Sequence, residues 1–302
     1  MNEPQVCIII LNWNGLADTI ECLVSLQTLG YPNYKAIVVD NGSRGDDVRV
    51  LRQRFGDYAH VIQNDMNYGF AEGNNIGIRY AIEHYEPDYV FLLNNDTVIA
   101  PDALTDLVRA GEGDARIGVL GPKIYYHDVN GRKDIIWSAG GKIRWWYPWV
   151  YDGIGCGDED SQKYREFKPV AWVSGAALML KRQVLDELSV LNADYFSGNE
   201  DVEYCLKAHK HGFKVYVPTA RIWHKVGRAR PHPTSVSQGL SDERAAATRR
   251  RRGPKFADIP PYYRLLRRNF PKPVYAYHLL ISPILISHRS LFWLRDKLAP
   301  KP

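Results

Sequence analysis

Cysteine is scarce in this sequence and follows no metal-binding or redox pattern. The four cysteines among 302 residues are Cys7, Cys22, Cys156 and Cys205, and no two of them form a C-x-x-C motif. Scattered cysteines of this kind are typical of reduced, buried thiols in a cytosolic protein. We therefore expect neither a disulfide framework nor a metal held by cysteine.

Long apolar runs are lacking as well. The apolar window 274–294 is interrupted by proline, histidine and arginine, which argues against a membrane span. The N-terminus has no basic region, and the apolar run that follows it covers only residues 6–11. A signal peptide or an N-terminal membrane anchor is therefore not expected.

Two signatures of other nucleotide-binding enzymes are missing. A dinucleotide-dependent oxidoreductase would carry G-x-G-x-x-G straight after its first strand, but here that turn reads N-W-N-G from Asn12. A sugar-phosphate nucleotidyltransferase would carry a glycine-rich basic loop near the N-terminus, and the sequence has none there. Both enzyme classes are disfavoured.

Charge is distributed unevenly along the chain. Residues 1–220 hold 21 Lys and Arg against 30 Asp and Glu, a net of −9, whereas residues 221–302 hold 18 against 4, a net of +14. A basic tail on an acidic body is typical of proteins that meet a polyanion, either a lipid surface or a nucleic acid.

Strand and helix signals alternate over the first part of the chain, which predicts a parallel sheet with right-handed crossovers. Further helical patterns cover 181–188 and 201–212. The predicted strands are 6–11, 35–39, 60–63 and 89–93, and the predicted helices between them are 16–29, 47–55 and 73–85.

Two of these strands end in acids and amides. The run 36–39 is followed by Asp40, and the run 89–93 is followed by two asparagines and Asp96. Because ligands sit at the carboxyl ends of strands in open α/β sheets, both acids are candidate ligand contacts. The alternative is that they are turn residues, since Asp and Asn end many strands by bonding to their own backbone.

A third acid lies at the start of a predicted helix. Ser197-Gly198-Asn199-Glu200 fits the S-x-x-E capping box, so Glu200 is expected to close the N-terminus of the helix that holds Asp201. Asp201 is then either a first-turn acid that suits the helix dipole or a rigidly mounted general base, and both descriptions can hold together.

Taken in order, several motifs resemble the inverting family-2 glycosyltransferases of GT-A fold, especially their rhamnosyltransferase-like branch. The resemblance covers about residues 5–225, and its motifs are IIILNWNG from Ile8, VVDNGS from Val38, NYGFAEGNNIG from Asn67, LLNND from Leu92 and GNEDVEYCL from Gly198. It implies an α/β fold with a Rossmann-like, mostly parallel central sheet flanked by helices, followed here by a helical basic C-terminal tail.

The resemblance also implies an activity and a set of site residues. The activity is transfer of a single sugar from a nucleoside-diphosphate sugar, dTDP-rhamnose or a UDP-hexose, to a glycan or lipid-linked acceptor with inversion. Asp201 is the expected general base. The expected nucleotide-sugar contacts are Asn12, Asn14, Asp40, Asn41, Gly69, Phe70, Asn74, Asn94 and Asn95, and the acceptor-side residues are Trp172, Gly175 and Glu200.

A divalent cation, Mn²⁺ or Mg²⁺, is the implied cofactor, because the departing diphosphate concentrates negative charge. Asp96 takes the last position of the family's D-x-D metal motif, but Asn94 stands where the first acid would be. Metal dependence is therefore expected to be weak or optional. His224 is either a metal or diphosphate ligand or a structural histidine.

The expected organisation is a glycosyltransferase domain, a basic flexible linker at 228–261 and an amphipathic tail at 262–302. Within the domain, 1–227, residues 1–115 form the nucleotide-sugar half and 116–227 the acceptor half. The tail is expected to bind an anionic membrane at the cytoplasmic face or to pack on the domain as helices.

Lack of a Q-x-x-R-W segment favours single addition over processive synthesis. The alternative function is a nucleotide-sugar-binding or basic-tail interaction protein without transferase activity, while nucleic-acid binding is disfavoured.

Overall fold

The computed structural model describes residues 3–145, 151–164, 168–226 and 259–280. The predicted alternation of strands and helices is confirmed in the first part of the chain. Apolar runs form the buried strands there, and amphipathic segments form the helices between them. The elements are β1 (Val6–Asn12), α1 (Leu16–Leu26), β2 (Tyr34–Asp40), α2 (Asp47–Phe55), β3 (Ala59–Gln63), α3 (Gly69–Tyr85) and β4 (Tyr89–Asn94).

Shorter strands dominate the rest of the described chain, and helical residues 272–280 follow its last complete helix. The strands are β5 (Thr97–Ile99), β6 (Ile117–Leu120), β7 (Lys123–Tyr126), β8 (Ile136–Ser138), β9 (Gly141–Ile143), β10 (Tyr151–Gly153), β11 (Lys168–Pro169), β12 (Ala177–Lys181), β13 (Lys214–Val217) and β14 (Arg221–His224). The helices are α4 (Ala103–Gly113), α5 (Arg182–Leu188), α6 (Glu200–Lys210) and α7 (Ile259–Asn269).

A central sheet of eight strands has the order β11-β13-β6-β12-β4-β1-β2-β3. Strands β4, β1, β2 and β3 are parallel, so their carboxyl ends share one edge. Strand β12 is antiparallel to both β4 and β6 and joins the two halves of the sheet. The mostly parallel sheet that the sequence predicts is therefore confirmed.

Both faces of the sheet are covered by helices. Along β1, Ile8 and Ile10 enter a cluster with α1, α2 and α4, whereas Cys7 and Ile9 enter another with α3, α5 and α6. Such double coverage explains why the strands read as continuous apolar runs.

All four cysteines are free thiols, as expected. Cys7, Cys22 and Cys205 are buried, but the expectation of burial is wrong for Cys156, which is half-buried. Cys156 lies in the loop after β10, outside the core formed by the central sheet.

A smaller sheet of four strands, in the order β5-β14-β7-β8, begins just after β4. Strand β14 is antiparallel to β5 and places His224 opposite Thr97. Residue 224 thus returns to the end of β4, next to Asp96.

Helices α3 and α6 begin at other residues than the sequence predicts. Helix α3 starts at Gly69 rather than at residue 73, because the Phe70 N–H donates to the Phe196 carbonyl at 2.6 Å and supports the extra turn. The capping-box prediction is wrong: Glu200 is the first residue of α6, and its N-cap is Asn199, with φ 73° and no side-chain capping bond. The left-handed backbone at Asn199 sets the helix start instead.

The described part of the C-terminal tail packs on the domain. Tyr262, Leu265 and Leu266 of α7 are buried, and Arg268 pairs with Asp194 at 2.5 Å. Most of the predicted linker and residues 281–302 of the tail lie outside the described residues. No helix in the described ranges is long and apolar enough to cross a membrane.

Candidate active site

Asn12, Thr19, Asp40, Ser43 and Asn95, here called the asparagine cluster, meet at the carboxyl ends of β1, β2 and β4. The Asn12 amide donates to Asp40 at 2.7 Å, and its oxygen accepts from the Thr19 hydroxyl at 2.7 Å. Asn95 donates to the same hydroxyl at 2.9 Å, and the Ser43 N–H donates to Asp40 at 3.0 Å. The Asp40 carboxylate has about four lone-pair sites, so a turn bond leaves room for a ligand.

Asn14 links the first loop of this edge to the second. Its backbone N–H donates to the Ser43 hydroxyl at 2.8 Å, and its side-chain oxygen accepts from the Arg44 N–H at 2.8 Å. Its φ of 52° is left-handed, a conformation that asparagine tolerates better than most residues. Asn94 ends β4 on the same edge and is half-buried.

Asn41 fixes the loop that precedes α3. Its amide nitrogen donates to the Asn67 side chain at 2.9 Å and to the Gly69 carbonyl at 3.1 Å. Its oxygen accepts from Asn64 at 3.0 Å and from the Tyr68 N–H at 3.2 Å. Both amide hydrogens are therefore used within the loop, and Asn41 stabilises the loop conformation.

The polar and glycine residues of early α3 serve packing. Asn74 is buried and donates to the Phe70 carbonyl at 2.9 Å. A Cβ on Gly73 would lie 2.7 Å from the Leu11 side chain, so glycine here lets the helix approach β1 closely. The first-turn N–H of Phe70 is taken by the Phe196 carbonyl, which leaves fewer donors for an anion than the sequence suggests.

Asp96 and His224, the two predicted metal ligands, are in direct contact. Their side chains are 6% and 8% exposed, and Asp96 Oδ1 lies 2.9 Å from His224 Nε2. The Trp137 ring meets the imidazole edge to face at 4.8 Å. The imidazole Nδ1 is buried and has no hydrogen-bond partner in the part of the chain that the structure describes.

The donor set at this contact suits a divalent cation. Two neighbouring ligands of an octahedral ion, each about 2.1 Å from it, are about 3.0 Å apart, close to the observed separation. Within the described ranges no group of three or more His, Cys, Asp or Glu residues surrounds a common point, so a cation would take two ligands from these side chains. A cation held by this carboxylate and imidazole would complete its shell with phosphate and water.

Asp201, the predicted base, lies in the first turn of α6 with its carboxylate held by backbone. Oδ2 accepts from the Gly175 N–H at 2.7 Å, and Oδ1 accepts from the Val202 N–H at 2.8 Å. Burial raises the pKa of Asp201, while these backbone donors act against the rise. A carboxylate with a raised pKa is better matched to accepting a proton near neutral pH.

Glu200 forms a titrating pair with Asp201, here called the acid pair. Burial, followed by the charge of Asp201, raises the pKa of Glu200 to about 8. Its side chain is buried, and Oε2 has no hydrogen-bond partner among the described residues. Burial beside a second acid therefore favours the protonated form of Glu200 near neutral pH.

Gly175 connects the base to neighbouring side chains. A Cβ on Gly175 would lie 3.4 Å from Asp201 Oδ2 and 3.4 Å from the Phe70 ring, so this residue leaves space between the base and the start of α3. The Trp172 ring instead lies against Gly141. The backbone carbonyl of Trp172 accepts from the Gly141 N–H at 2.9 Å. The structure thus gives Trp172 a packing partner in Gly141.

The loop 189–199 is a part of the site that the sequence did not single out. Phe196 in this loop covers Gly69, and the buried Asn75 side chain holds its start through two bonds to the Leu191 backbone, at 2.8 and 2.9 Å. The loop has no strand or helix period, so its one sequence signal is the series of glycine, asparagine and aromatic residues before Glu200.

Comparison with known proteins identifies the family. The model of glycosyltransferase-like family 2 matches residues 4–249. The chain therefore belongs to this family.

Curated relatives include sugar transferases from several organisms. The low-salt glycan biosynthesis hexosyltransferase Agl10 of Haloferax volcanii is 26% identical over 212 residues, which are 70% of this chain and 64% of the relative. The rhamnosyltransferase WbbL of Escherichia coli K12 is 26% identical over 239 residues, covering 73% and 83%. The N-acetylglucosaminyl-diphospho-decaprenol L-rhamnosyltransferase of Mycobacterium tuberculosis is 25% identical over 215 residues, covering 67% and 70%.

Coverage of some relatives is partial. The chain spans 25% of the uncharacterized protein y4gI of Sinorhizobium fredii, to which it is 29% identical over 242 residues.

Two solved structures share the fold. The mannosyltransferase PcManGT of Pyrobaculum calidifontis, in complex with GDP-Man and Mn²⁺, aligns with a TM-score of 0.55 and 16% identity over 97% of this chain and 81% of its own. GalNAc-T7 with UDP, GalNAc and Mn²⁺ aligns with a TM-score of 0.60 and 18% identity, covering 74% and 44%. The fold is of the GT-A type, as the motifs implied.

Proposed function

We propose that this protein transfers a single sugar from a nucleoside-diphosphate sugar to a hydroxyl of a glycan or lipid-linked acceptor, with inversion at the anomeric carbon. One observation carries the proposal. Asp201 accepts from the Gly175 N–H at 2.7 Å. The carbonyl of the following residue, Ala176, accepts from the Asn94 N–H at 2.9 Å. The candidate base is thus tied through two residues to the strand end that precedes Asp96.

In the proposed reaction, Asp201 accepts the proton of the acceptor hydroxyl as that oxygen attacks the anomeric carbon. The bond from this carbon to the diphosphate oxygen breaks, and the nucleoside diphosphate leaves with the electron pair. A divalent cation held by Asp96 and His224 would supply positive charge for the leaving diphosphate. The asparagine cluster and Asn14 would orient the nucleotide, and Asp40 would accept from its base or ribose.

The names of the relatives support a choice of donor and acceptor. Two of them are rhamnosyltransferases, and the name of one contains a diphospho-decaprenol acceptor. We therefore take dTDP-rhamnose and UDP-hexoses as leading donors and a lipid-linked glycan as the leading acceptor. GT-A neighbours solved with Mn²⁺ support a divalent cation as cofactor.

The decisive experiment is a donor panel. Purified protein is incubated with individual nucleotide sugars and candidate acceptors, with and without Mn²⁺, and release of nucleoside diphosphate is measured. The anomeric configuration of the product is then read by NMR. An inverted product supports the proposal, whereas a retained configuration overturns the mechanism. Donor binding without release would favour the binding-protein alternative.

The basic tail supports a peripheral position at the cytoplasmic membrane face. Arg267 of α7 and Lys272 are both exposed, and each basic residue near an anionic surface contributes about 1 kcal/mol. Flotation with anionic vesicles should show binding that falls with salt. The double variant Arg267→Glu with Lys272→Glu should bind less, whereas neutral vesicles should leave both proteins unbound. Equal flotation of wild type and variant would overturn this position.

A further inference from the structure

The side chain of Phe196 is 62% exposed although its neighbour Tyr195 is fully buried. A single exposed aromatic residue is ordinary on a protein surface. Phe196 differs because the fold holds it in place at the edge of the candidate site. An exposed ring held in place at a site is available to contact a ligand.

Gly69 provides the first constraint. The Phe196 carbonyl accepts from the Phe70 N–H at 2.6 Å, at the first turn of α3. Gly69 has φ 84°, and a Cβ there would lie 2.5 Å from the Phe196 carbonyl oxygen and 2.7 Å from its ring. The ring therefore lies against a bare stretch of backbone that a side chain would close.

The part of the loop 189–199 that precedes Phe196 is anchored to α6 and α7. Asn192 donates to Glu203 of α6 at 2.9 Å, and Asp194 pairs with Arg268 of α7 at 2.5 Å. The Arg264 guanidinium lies 5.6 Å from the centre of the Tyr195 ring. Fixing an aromatic ring before binding lowers the entropy cost of any contact that it makes.

Phe196 is connected to the candidate base through Phe70 and Gly175. Its ring covers Gly69, the next residue Phe70 extends its ring toward Gly175, and Asp201 Oδ2 lies 3.4 Å from the same Cβ position on Gly175. Phe70 thus links the loop that holds Phe196 to the residue that binds Asp201. Hexose rings have an apolar face of C–H groups, and aromatic rings offer a large rigid apolar surface to it.

We propose that Phe196 is a specificity residue that stacks on the ring of the acceptor sugar and holds it next to Asp201. This inference rests on the proposed function, since it assigns the acceptor side of the same reaction. The backbone bond to Phe70 does not involve the Phe196 side chain, so replacing the ring leaves the support of α3 in place.

The test uses the full chain, the donor found in the panel, and octyl β-glucoside and octyl N-acetyl-β-glucosaminide as acceptor probes. Phe196→Ala should raise the acceptor KM about tenfold while donor hydrolysis without acceptor stays unchanged. Phe196→Trp should restore the KM to near the wild-type value. Val24→Ala, which trims an exposed apolar side chain on α1, is the matched control and should leave the KM unchanged.

Two outcomes overturn the inference. One is a KM for Phe196→Ala equal to that of wild type. The other is a parallel fall of transfer and donor hydrolysis with KM unchanged, because Phe196 would then only support α3.

Saturation-transfer NMR of the glycosides separates this inference from the proposed function. If wild type releases no nucleoside diphosphate, the proposed function fails. Saturation of the glycoside ring that is present in wild type and lost in Phe196→Ala still supports the stacking contact, and no saturation in either protein overturns it.

Discussion

The asparagine cluster and the acid pair meet the same demand, burial of polar groups, in opposite ways. In the cluster, the Asn12 amide and the Asp40 carboxylate find partners within the fold. In the acid pair, Glu200 keeps a buried oxygen without a partner in the described chain, and Asp201 accepts from the backbone N–H groups of Gly175 and Val202. A network bonded within the fold gives a rigid surface, whereas buried groups with shifted pKa values suit proton transfer.

Removing the carboxylate of Asp201 is the strongest test of the role of the acid pair in proton transfer. Asp201→Asn keeps the size of the side chain but cannot accept the proton, so transfer should fall by about two to four orders of magnitude with donor affinity little changed. Steady-state kinetics and donor titration measure the two effects. Asp186→Asn, an exposed acid on α5, is the control. Near-normal turnover of Asp201→Asn would show that it is only a helix-end acid.

Breaking the asparagine cluster should instead reduce stability. Asn12→Ala leaves Asp40 and Thr19 without their buried partner, which should lower the free energy of unfolding by about 2–3 kcal/mol. Urea unfolding followed by circular dichroism measures the loss. Asn33→Ala removes one exposed bond to the Glu3 carbonyl and should cost less than about 0.5 kcal/mol. Equal stability of both variants would mean that the cluster contributes no more than a surface contact.

The contact between Asp96 and His224 shares features with both regions, being buried and yet partly unpartnered. Asp96→Ala should weaken donor binding in Mn²⁺ about tenfold, because a hard cation loses its carboxylate ligand. Calorimetry of the donor with and without Mn²⁺ measures the difference, and His224→Ala should follow the same trend. Asp102→Ala, which removes an exposed acid before α4, is the control. Unchanged affinity would indicate a metal-free site.

A further expected effect concerns pH and Glu200. The folded protein holds the Glu200 proton up to about pH 8, whereas an unfolded chain releases it near pH 4.5. The folded state therefore binds more protons in this window, and wild-type stability falls as the pH rises through it. In Glu200→Gln the stability should not fall with rising pH, because glutamine does not titrate. The urea midpoints of the two proteins should therefore diverge between about pH 5 and about pH 8. Parallel midpoints would show that Glu200 titrates normally.

Sequence reasoning was most successful where local pattern decides the structure. Apolar runs predicted the strands β1, β2 and β4 and their parallel arrangement. The motifs also predicted the GT-A fold.

Contacts between distant segments could not be read from local pattern. Asp96 meets His224 because β14 returns to pair with β5, and no residue near either one signals that pairing. The S-x-x-E pattern pointed to a capping box, but the left-handed Asn199 starts the helix one residue before Glu200. Phe196 lies in an irregular loop, where neither periodicity nor residue type reveals its contact with Gly69.

The antiparallel strand β12 has a consequence for how the chain folds. Strands β1 to β4 can assemble from consecutive β-α-β units, but β4 pairs on its other side with β12, which is made much later in the chain. Until β12 arrives, a long apolar strand has an open edge, and such edges are templates for aggregation. Insertion of β12 is thus a late, long-range step. Once paired, β12 covers the exposed edge of β4 and prevents that edge from pairing with another chain.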